Sequence, residues 1–307
     1  MVTAFITHPA CLRHAMGFSH PECPERLEVI ENQLIAAEIY ASLQCYAAPQ
    51  VSREQLLRVH SENHIHFIES SAPQNGLVSL DLDTLMNPFT LEAAYRAAGA
   101  VILATDLVMQ RAVSNAFCSI RPPGHHATHD QAMGFCFFNN AAVGVAHAMA
   151  QYGLSRVAVL DFDVHHGNGT EDIFQDDARV MLCSTFQHPL YPWSGANTGN
   201  DHIINVPLAA GSKGEVFRQA VIQHWLPALE SFRPEMVFIS AGFDAHRDDL
   251  LAGLNLDETD YAWVTEQIRT MAENSAQGRI VSVLEGGYEL AALGGSVVAH
   301  IKALCRD

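Results

Sequence analysis

An apolar run, Arg156-Val-Ala-Val-Leu160, leads directly into the octet Asp161-Phe-Asp-Val-His-His-Gly-Asn168. The run has the composition of a buried strand. Alternate residues of an extended segment point to the same side, so Asp161, Asp163 and His165 are expected to share one face. Two or three of them could bind one cation, although aspartate and glycine also end strands as ordinary turn residues.

The rest of the chain alternates short β-branched or apolar runs with helical patterns. This alternation is typical of crossover units and predicts an α/β fold of three layers, α/β/α, with a mainly parallel central sheet. The length of 307 residues suits one α/β domain, so we expect a single domain over 1–307. Strands are predicted near 2–7, 115–120, 156–161, 179–185, 202–206, 236–241 and 279–284, and helices near 24–39, 91–111, 138–152, 214–231, 259–274 and 288–304.

The composition argues against several classes of function. With 17 Lys+Arg against 34 Asp+Glu, the net charge of −17 disfavours direct binding to nucleic acid or to an anionic membrane. The 7 cysteines form no CxxC pair, which favours a reducing compartment. The sequence shows neither a signal-like N-terminus nor an apolar run of about 18 residues, so we expect a cytoplasmic protein without a membrane span. The oligomeric state stays open, and a homo-oligomer is one alternative.

Four polar clusters follow four of the predicted strands. Ligands of open α/β sheets bind at the carboxyl ends of the strands, so these clusters are expected to converge on one site. Such convergence favours a metal centre over the alternative that each cluster only forms the turn that ends its strand. The clusters are Arg121-Pro-Pro-Gly-His-His126, the octet at 161–168, Ala241-Gly-Phe-Asp244 and Glu285-Gly-Gly-Tyr288.

In this order, the clusters resemble the zinc-dependent histone deacetylase and acetylpolyamine amidohydrolase superfamily, which has an arginase-like fold. The resemblance extends to His20-Pro-Glu-Cys-Pro-Glu-Arg26 and Gly134-Phe-Cys-Phe-Phe-Asn-Asn140, and spans nearly the whole chain. Asn168 is typical of class II and many bacterial members, where the main class I enzymes carry Asp. The resemblance implies an amidohydrolase that removes acetyl or other acyl groups from lysine side chains in peptides or proteins.

The same resemblance implies the metal sites. Asp163, His165 and Asp244 are the expected zinc ligands, and they leave one position open for water and the substrate carbonyl. A set of two carboxylates and one histidine also suits iron(II) or cobalt. Asp161 and Ser184 match positions that bind a structural potassium ion in relatives, and the alternative is a satisfied hydrogen-bond network.

The resemblance also implies the catalytic roles. His126 is the expected general base and then general acid, with His125 as its electrostatic partner. Asp161 is expected to support His125, and Asn168 to support His126. Because an amide is neutral, His126 should be less basic than with a carboxylate partner. Tyr288 is expected to stabilise the oxyanion of the transition state.

Four residues are expected to contact the substrate. Phe135 and Tyr191 resemble the aromatic walls of the family's acyl-lysine tunnel, and the Gly134 carbonyl is expected to accept the substrate amide N–H. Acetylpolyamine hydrolases of the class II type place a glutamate on the pocket rim, where this chain has Leu251. The sequence therefore favours an acylated lysine over an acetylpolyamine.

Three alternatives remain at this point. Asp248 and Asp249 lie near the rim position and could still serve a polyamine. A two-manganese, arginase-like enzyme is disfavoured because Gly167 stands where such enzymes carry a further aspartate. A non-catalytic binder of acyl-lysine is the third alternative, and a turnover assay with a chelator control would separate it from an enzyme. His166 has no assigned role.

Overall fold

A computed structural model describes residues 2–305 of the chain. Its centre is an eight-stranded sheet in which every neighbouring pair is parallel, in the order β2-β1-β5-β10-β9-β6-β7-β8. A separate antiparallel hairpin is formed by β3 and β4. In chain order the strands are β1 (Thr3–Thr7), β2 (Gln44–Ala47), β3 (Val78–Ser79), β4 (Leu85–Met86), β5 (Asn115–Cys118), β6 (Val157–Asp161), β7 (Val180–Gln187), β8 (Ile203–Leu208), β9 (Met236–Ala241) and β10 (Ile280–Leu284).

Helices pack in two groups with the sheet between them. One group is α2, α10 and α11, and the other is α5 with α6, which confirms the predicted three-layer α/β/α fold. No helix within residues 2–305 combines the length and the apolar character needed to cross a membrane. The helices are α1 (Ala10–Arg13), α2 (Glu25–Ala36), α3 (Arg53–Leu56), α4 (Glu62–Ser71), α5 (Thr90–Met109), α6 (Asn140–Tyr152), α7 (Asn168–Phe174), α8 (Gly214–Ala220), α9 (Leu226–Phe232), α10 (Glu258–Ser275) and α11 (Leu290–Cys305).

The predicted elements correspond to observed ones, but one predicted helix is divided. All seven predicted strands are present with ends shifted by a few residues, and five of the six predicted helices are continuous. The segment predicted as one helix over 214–231 consists of α8, a π-helix at Val221–Trp225 and α9. Pro227 lies in the first turn of α9 and has no N–H to donate to the preceding turn, which accounts for the break.

The four strands that precede the polar clusters are neighbours at the middle of the sheet, in the order β5-β10-β9-β6. Every residue of these strands is buried, as expected for parallel strands covered on both faces. Because they are parallel, their carboxyl ends lie along one edge of the sheet. This order brings the four clusters together in space.

Candidate active site

Two carboxylates converge on one imidazole at this edge. The donor atoms of Asp163, His165 and Asp244 all lie within 4.8 Å of one another. His165 Nδ1 is 3.1 Å from Asp163 Oδ1 and 3.2 Å from Asp244 Oδ2. Asp244 Oδ2 is buried and, despite its proximity to His165 Nδ1, forms no hydrogen bond within the described residues. An orphaned carboxylate oxygen beside a second carboxylate and an imidazole fits a divalent cation with oxygen and nitrogen ligands.

The backbone fixes the orientation of both carboxylates. Gly286 N–H donates to Asp163 Oδ2 at 2.8 Å, and Val164 N–H donates to Asp244 Oδ1 at 2.9 Å. Asp163 Oδ1 also accepts from the His165 N–H at 2.8 Å, so the main chain holds both oxygens of Asp163 and one oxygen of Asp244. A Cβ at Gly286 would lie 2.0 Å from Asp244 Oδ2, and one at Gly242 would lie 2.0 Å from Asp163 Oδ2. These two glycines are required because the carboxylates pack directly against the backbone.

The two carboxylates have opposite protonation tendencies. Burial favours the neutral acid, but His125 and His165 outweigh it and hold the pKa of Asp163 well below its usual value. Burial, followed by the charge of Asp163, raises the pKa of Asp244 to about 6. A bound cation would relieve this repulsion between neighbouring carboxylates.

The first of the tandem histidines lies between two acids. His125 Nδ1 donates to Asp161 Oδ2 at 2.9 Å, and His125 Nε2 lies 3.8 Å from Asp163 Oδ1. Burial disfavours the imidazolium, but the charges of Asp163 and Asp161 outweigh burial and raise the pKa of His125 to about 10. The arrangement favours a cationic His125.

The second tandem histidine is neutral. His126 Nδ1 lies 2.8 Å from Asn168 Oδ1, while the amide nitrogen of Asn168 faces Met133 Sδ and so leaves its oxygen toward the imidazole. An accepting oxygen places the His126 proton on Nδ1 and leaves the lone pair on Nε2. Burial, then the charges of His125 and His165, hold the pKa of His126 well below its usual value.

Tyr288 lies under a cation and beside an aromatic ring. The Arg26 guanidinium is 5.0 Å from the centre of its ring, and the Phe135 ring meets it edge-on at 5.8 Å. Burial, followed by the charge of Asp244, raises the pKa of Tyr288 well above its usual value. The phenol is therefore a hydrogen-bond donor throughout the neutral pH range.

The Gly134–Phe135 turn and Tyr191 enclose His126. The Tyr191 ring meets the His126 ring at 5.1 Å, and a Cβ at Gly134 would lie 2.5 Å from His126 Cδ2. Gly134 and Phe135 both have left-handed backbone angles, with φ of 55° and 69°. The Phe135 N–H donates to Thr84 Oγ1 at 3.0 Å, so the β3–β4 hairpin holds this turn.

Leu251 and its two acidic neighbours differ in exposure. Leu251 is 39 % exposed, and the Asp248 side chain is 65 % exposed. Asp249 is only 4 % exposed, and its carboxylate accepts hydrogen bonds from main-chain N–H groups. Asp249 therefore cannot act as a free rim carboxylate.

The comparisons with known proteins agree with this geometry. Residues 20–304 match the histone deacetylase domain model. The chain belongs to the histone deacetylase family. It is 39 % identical over 310 residues to the histone deacetylase-like amidohydrolase of Pseudomonas aeruginosa, with 93 % of this chain and 81 % of that protein covered. An Archaeoglobus fulgidus protein named "Probable deacetylase" is 37 % identical over 298 residues, with coverages of 94 % and 82 %.

The fold comparison gives the same family. The crystal structure of the HDA15 HD domain matches with a TM-score of 0.92 and 32 % sequence identity, and covers 99 % of this chain and 91 % of that one. The resemblance inferred from the motifs is therefore confirmed. Membership of the histone deacetylase family supports a deacetylase or amidohydrolase activity and a metal-dependent site.

Asp161 and Ser184 lie side by side on neighbouring strands that lead to the candidate site. They are register partners on β6 and β7, and both are fully buried. Asp161 Oδ1 accepts from the Asp163 N–H at 3.0 Å. Ser184 Oγ is buried without a hydrogen-bond partner in the described part of the chain.

Glu285 makes contacts in the candidate site that the sequence analysis did not assign. Its Oε2 accepts from the Gly124 N–H at 2.7 Å and from the His125 N–H at 3.1 Å. It thereby fixes the tandem-histidine loop to the end of β10. Burial raises the pKa of Glu285 to about 7. The sequence signal for this role was a carboxylate directly after a strand that is apolar except for Ser282.

A buried ionic cluster connects the N-terminal motif to the turn that carries Tyr288. Glu22 contacts both Arg26 and Arg121, and all three side chains are fully buried. Burial opposes ionisation of Glu22, but the charge of Arg121 and the other partners keep its pKa well below the usual value. Arg26 donates from Nε to the Gly287 carbonyl at 2.7 Å and from Nη2 to the Glu285 carbonyl.

His166, which had no assigned role, lies outside the group of candidate ligands. Its Nδ1 is 3.0 Å from Ser194 Oγ, and its Nε2 is 2.7 Å from Glu171 Oε2. Its ring packs against Phe186 with centroids 4.7 Å apart. The contacts are those of a residue that holds the 188–199 loop against α7 and β7.

Proposed function

We propose that this histone deacetylase family member is a zinc-dependent amidohydrolase that removes acetyl or other acyl groups from lysine side chains in peptides or proteins. The convergence of Asp163, His165 and Asp244 within 4.8 Å carries the proposal. Zinc bound by these three residues would polarise the substrate carbonyl and make water a better nucleophile. Iron(II) or cobalt suits the same donors.

We propose different roles for the two tandem histidines, with His126 transferring protons and His125 carrying a positive charge. His126 has a free lone pair on Nε2, so it can take a proton from the attacking water. The low pKa of His126 favours the neutral form that a base requires, and the acid formed is strong enough to protonate the leaving amine. His125, held cationic by Asp161 and Asp163, stabilises negative charge in the transition state.

Tyr288 is the proposed donor to the oxyanion. Its pKa lies well above neutral, so the phenol keeps its proton while the carbonyl oxygen gains negative charge. The Arg26 guanidinium over its ring and the edge-on Phe135 restrict the ring. A restricted donor needs little reorganisation when the oxyanion forms.

The surroundings of the site favour an acylated lysine. Phe135 and Tyr191 are proposed as apolar walls for the lysine methylenes, and the Gly134 carbonyl as the acceptor of the substrate amide N–H. Leu251, which the resemblance assigns to the rim, has a partly exposed apolar side chain, and Asp249 is engaged with the backbone. A distal polyamine nitrogen would therefore find no free carboxylate at 249 or 251, and of the two neighbouring acids only the exposed Asp248 would be available to it.

One observation favours the second candidate, an acetylpolyamine amidohydrolase. Asp83 accepts a hydrogen bond from Thr84, the hairpin residue that holds the Phe135 N–H. After burial, the charge of Asp83 is the next cause that raises the pKa of Tyr191, so its carboxylate is close to the aromatic wall. A carboxylate there could pair with a cationic substrate amine.

We further propose that potassium binds between Asp161 and Ser184. The buried and unpartnered Ser184 Oγ supports this, because a buried hydroxyl without a partner is costly. The ion would stabilise the acid that accepts from His125, so its role would be structural.

Purified protein stripped with a chelator and then loaded with zinc, iron(II) or cobalt tests the function. We expect metal-dependent release of acetate from an acetyl-lysine peptide, with kcat/KM at least about tenfold above that for N-acetylspermidine. A higher value for N-acetylspermidine would replace the lysine substrate by a polyamine. Absence of turnover of acetyl-lysine, longer acyl-lysine and polyamine substrates with every metal would reject the amidohydrolase itself.

A further inference from the structure

The Asp249 carboxylate lies between the two loops that carry Leu251 and Tyr288. Its Oδ2 accepts from the Tyr288 N–H at 2.6 Å and from the Glu289 N–H at 3.1 Å. Its Oδ1 accepts from the Leu251 N–H at 3.0 Å. One side chain therefore binds the main chain of the rim residue and of the proposed oxyanion donor.

Asp249 forms no ion pair with a described basic residue, although it is only 4 % exposed. A buried carboxylate is costly unless its charge is compensated, and three N–H donors supply that compensation. Because these donors come from two separate loops, the carboxylate fixes the loops relative to each other. The loops follow the neighbouring strands β9 and β10.

Helix capping alone does not account for these contacts. Helix α11 begins at Leu290, and the Glu289 side chain accepts from the Ala292 N–H at 2.7 Å, so Glu289 caps the helix itself. Asp249 binds the residues before the helix, where the backbone turns through Gly287 at φ 122°. Its contacts therefore determine the direction in which Tyr288 leaves this turn.

We propose that Asp249 is a positioning residue that aims the Tyr288 phenol at the reacting carbonyl and keeps the Leu251 rim in register with it. This inference rests on the proposed amidohydrolase function and names a further residue on which its rate depends. An asparagine has one accepting oxygen, and its amide N–H₂ would face donors on the other side. Asp249→Asn therefore keeps one loop contact at the expense of the other.

The first experiment compares Asp249→Asn with Asp248→Asn in the zinc-loaded protein. Asp248 is the adjacent acid, and its exposed side chain makes it a matched control for lost charge. We expect kcat on an acetyl-lysine peptide to fall about tenfold or more in Asp249→Asn, and to stay within about twofold of wild type in Asp248→Asn. Zinc content measured on the same samples should be equal, because Asp249 is not one of the three proposed ligands.

The second experiment is a double-mutant cycle with Tyr288→Phe. If Asp249 acts by aiming the phenol, Asp249→Asn should cost less than about twofold once the hydroxyl is absent. An equal loss of kcat in both backgrounds would overturn the positioning role, because it would mean that the effect does not pass through Tyr288.

Asp249→Glu provides the conservative variant. It keeps two accepting oxygens, so its kcat should exceed that of Asp249→Asn by at least about threefold. If Asp249→Asn gives no cooperative melting transition, the cycle is run with Asp249→Glu, whose displaced carboxylate should lower kcat only when Tyr288 is present. If the wild type is active but kcat is the same in Asp249→Asn and Asp248→Asn, the positioning role is rejected and the amidohydrolase function stands. A wild type inactive on every substrate rejects the amidohydrolase function.

Discussion

Asn168 fixes the tautomer of His126 because it offers an oxygen that accepts a hydrogen bond without carrying charge, while burial and the charges of His125 and His165 hold the pKa of His126 low. The contact measures 2.8 Å and selects the tautomer with the proton on Nδ1. A carboxylate in the same place would keep that tautomer but would also favour the imidazolium. Exchange of Asn168 for a carboxylate would therefore raise the pKa of His126 while keeping its tautomer.

Asn168→Asp should move the acidic limb of the kcat/KM profile to higher pH by about one unit. The sign follows because a higher pKa for His126 requires a higher pH before the base is free. Profiles measured from pH 5 to 9 on an acetyl-lysine peptide would show it. Asn274→Asp, an added charge at an exposed position on α10, is the matched control and should leave the limb in place. A limb unmoved by Asn168→Asp would contradict the assignment of His126 as the base.

The motif residues and the two supports of the tandem histidines, Asp161 and Asn168, could be predicted from the sequence, whereas the contacts of Glu285 and Asp249 could not. Asp163 and Asp244 stand in recognisable patterns at strand ends. Glu285 and Asp249 act by accepting main-chain N–H groups of loops that are distant in sequence, such as Gly124, 161 residues from Glu285. No local pattern reveals such a pairing, because it depends on the order of strands in the sheet.

At the scale of elements, the β3–β4 hairpin holds the turn that carries one aromatic wall. Thr84 Oγ1 accepts from the Phe135 N–H and donates to Asp83 Oδ1 at 3.2 Å. Thr84→Val keeps the shape but leaves the Phe135 N–H unpaired, at a cost of about 1–3 kcal/mol. We expect the KM for an acetyl-lysine peptide to rise severalfold with little change in kcat. Ser79→Ala in the same hairpin is the control, and an equal KM in both variants would show that the hairpin does not hold the wall.

The elements that the sequence analysis missed are short or lie at an edge. β2 has four residues, none of them fully buried, so it lacks the apolar signal of the central strands. β3 and β4 have two residues each. Helix α4 did carry a usable signal, because Ser61 caps it by accepting from the His64 N–H at 3.2 Å.

Helix α6 packs so closely on its neighbours that Gly144 has no room for a methyl group. A Cβ there would lie 2.4 Å from Val101 Cγ1 and 2.7 Å from Phe238 Cε1. Gly144→Ala should lower the free energy of unfolding by about 1–3 kcal/mol, measured by urea denaturation. Gly153→Asn, at the left-handed end of the same helix with open space around it, should cost much less. If Gly144→Ala lowers the free energy of unfolding no more than Gly153→Asn does, α6 must be able to move away from its neighbours to make room for the methyl group.

For the whole molecule, the fold and the site have one common cause. Four fully buried parallel strands must be adjacent at the centre of the sheet, and each ends in a loop with polar side chains. These loops bring several acids into a buried region. Two of these acids, Asp163 and Asp244, lie on either side of the His165 imidazole nitrogen. Without a cation this repulsion opposes folding, so we expect metal binding to contribute to global stability.

Removal of the metal should therefore lower Tm, and by more at higher pH. The pKa of Asp244 is raised to about 6 without a cation, so its neutral form stabilises the fold at low pH and this contribution is lost as pH rises through 6. Zinc requires the ionised form, so its stabilisation grows over the same range. We expect zinc to raise the Tm of chelator-treated protein by roughly 5–10 °C at pH 7.5 and by clearly less at pH 5.5, measured by calorimetry. Asp163→Asn should abolish the response, and a rise of equal size at both pH values would contradict Asp244 as a ligand.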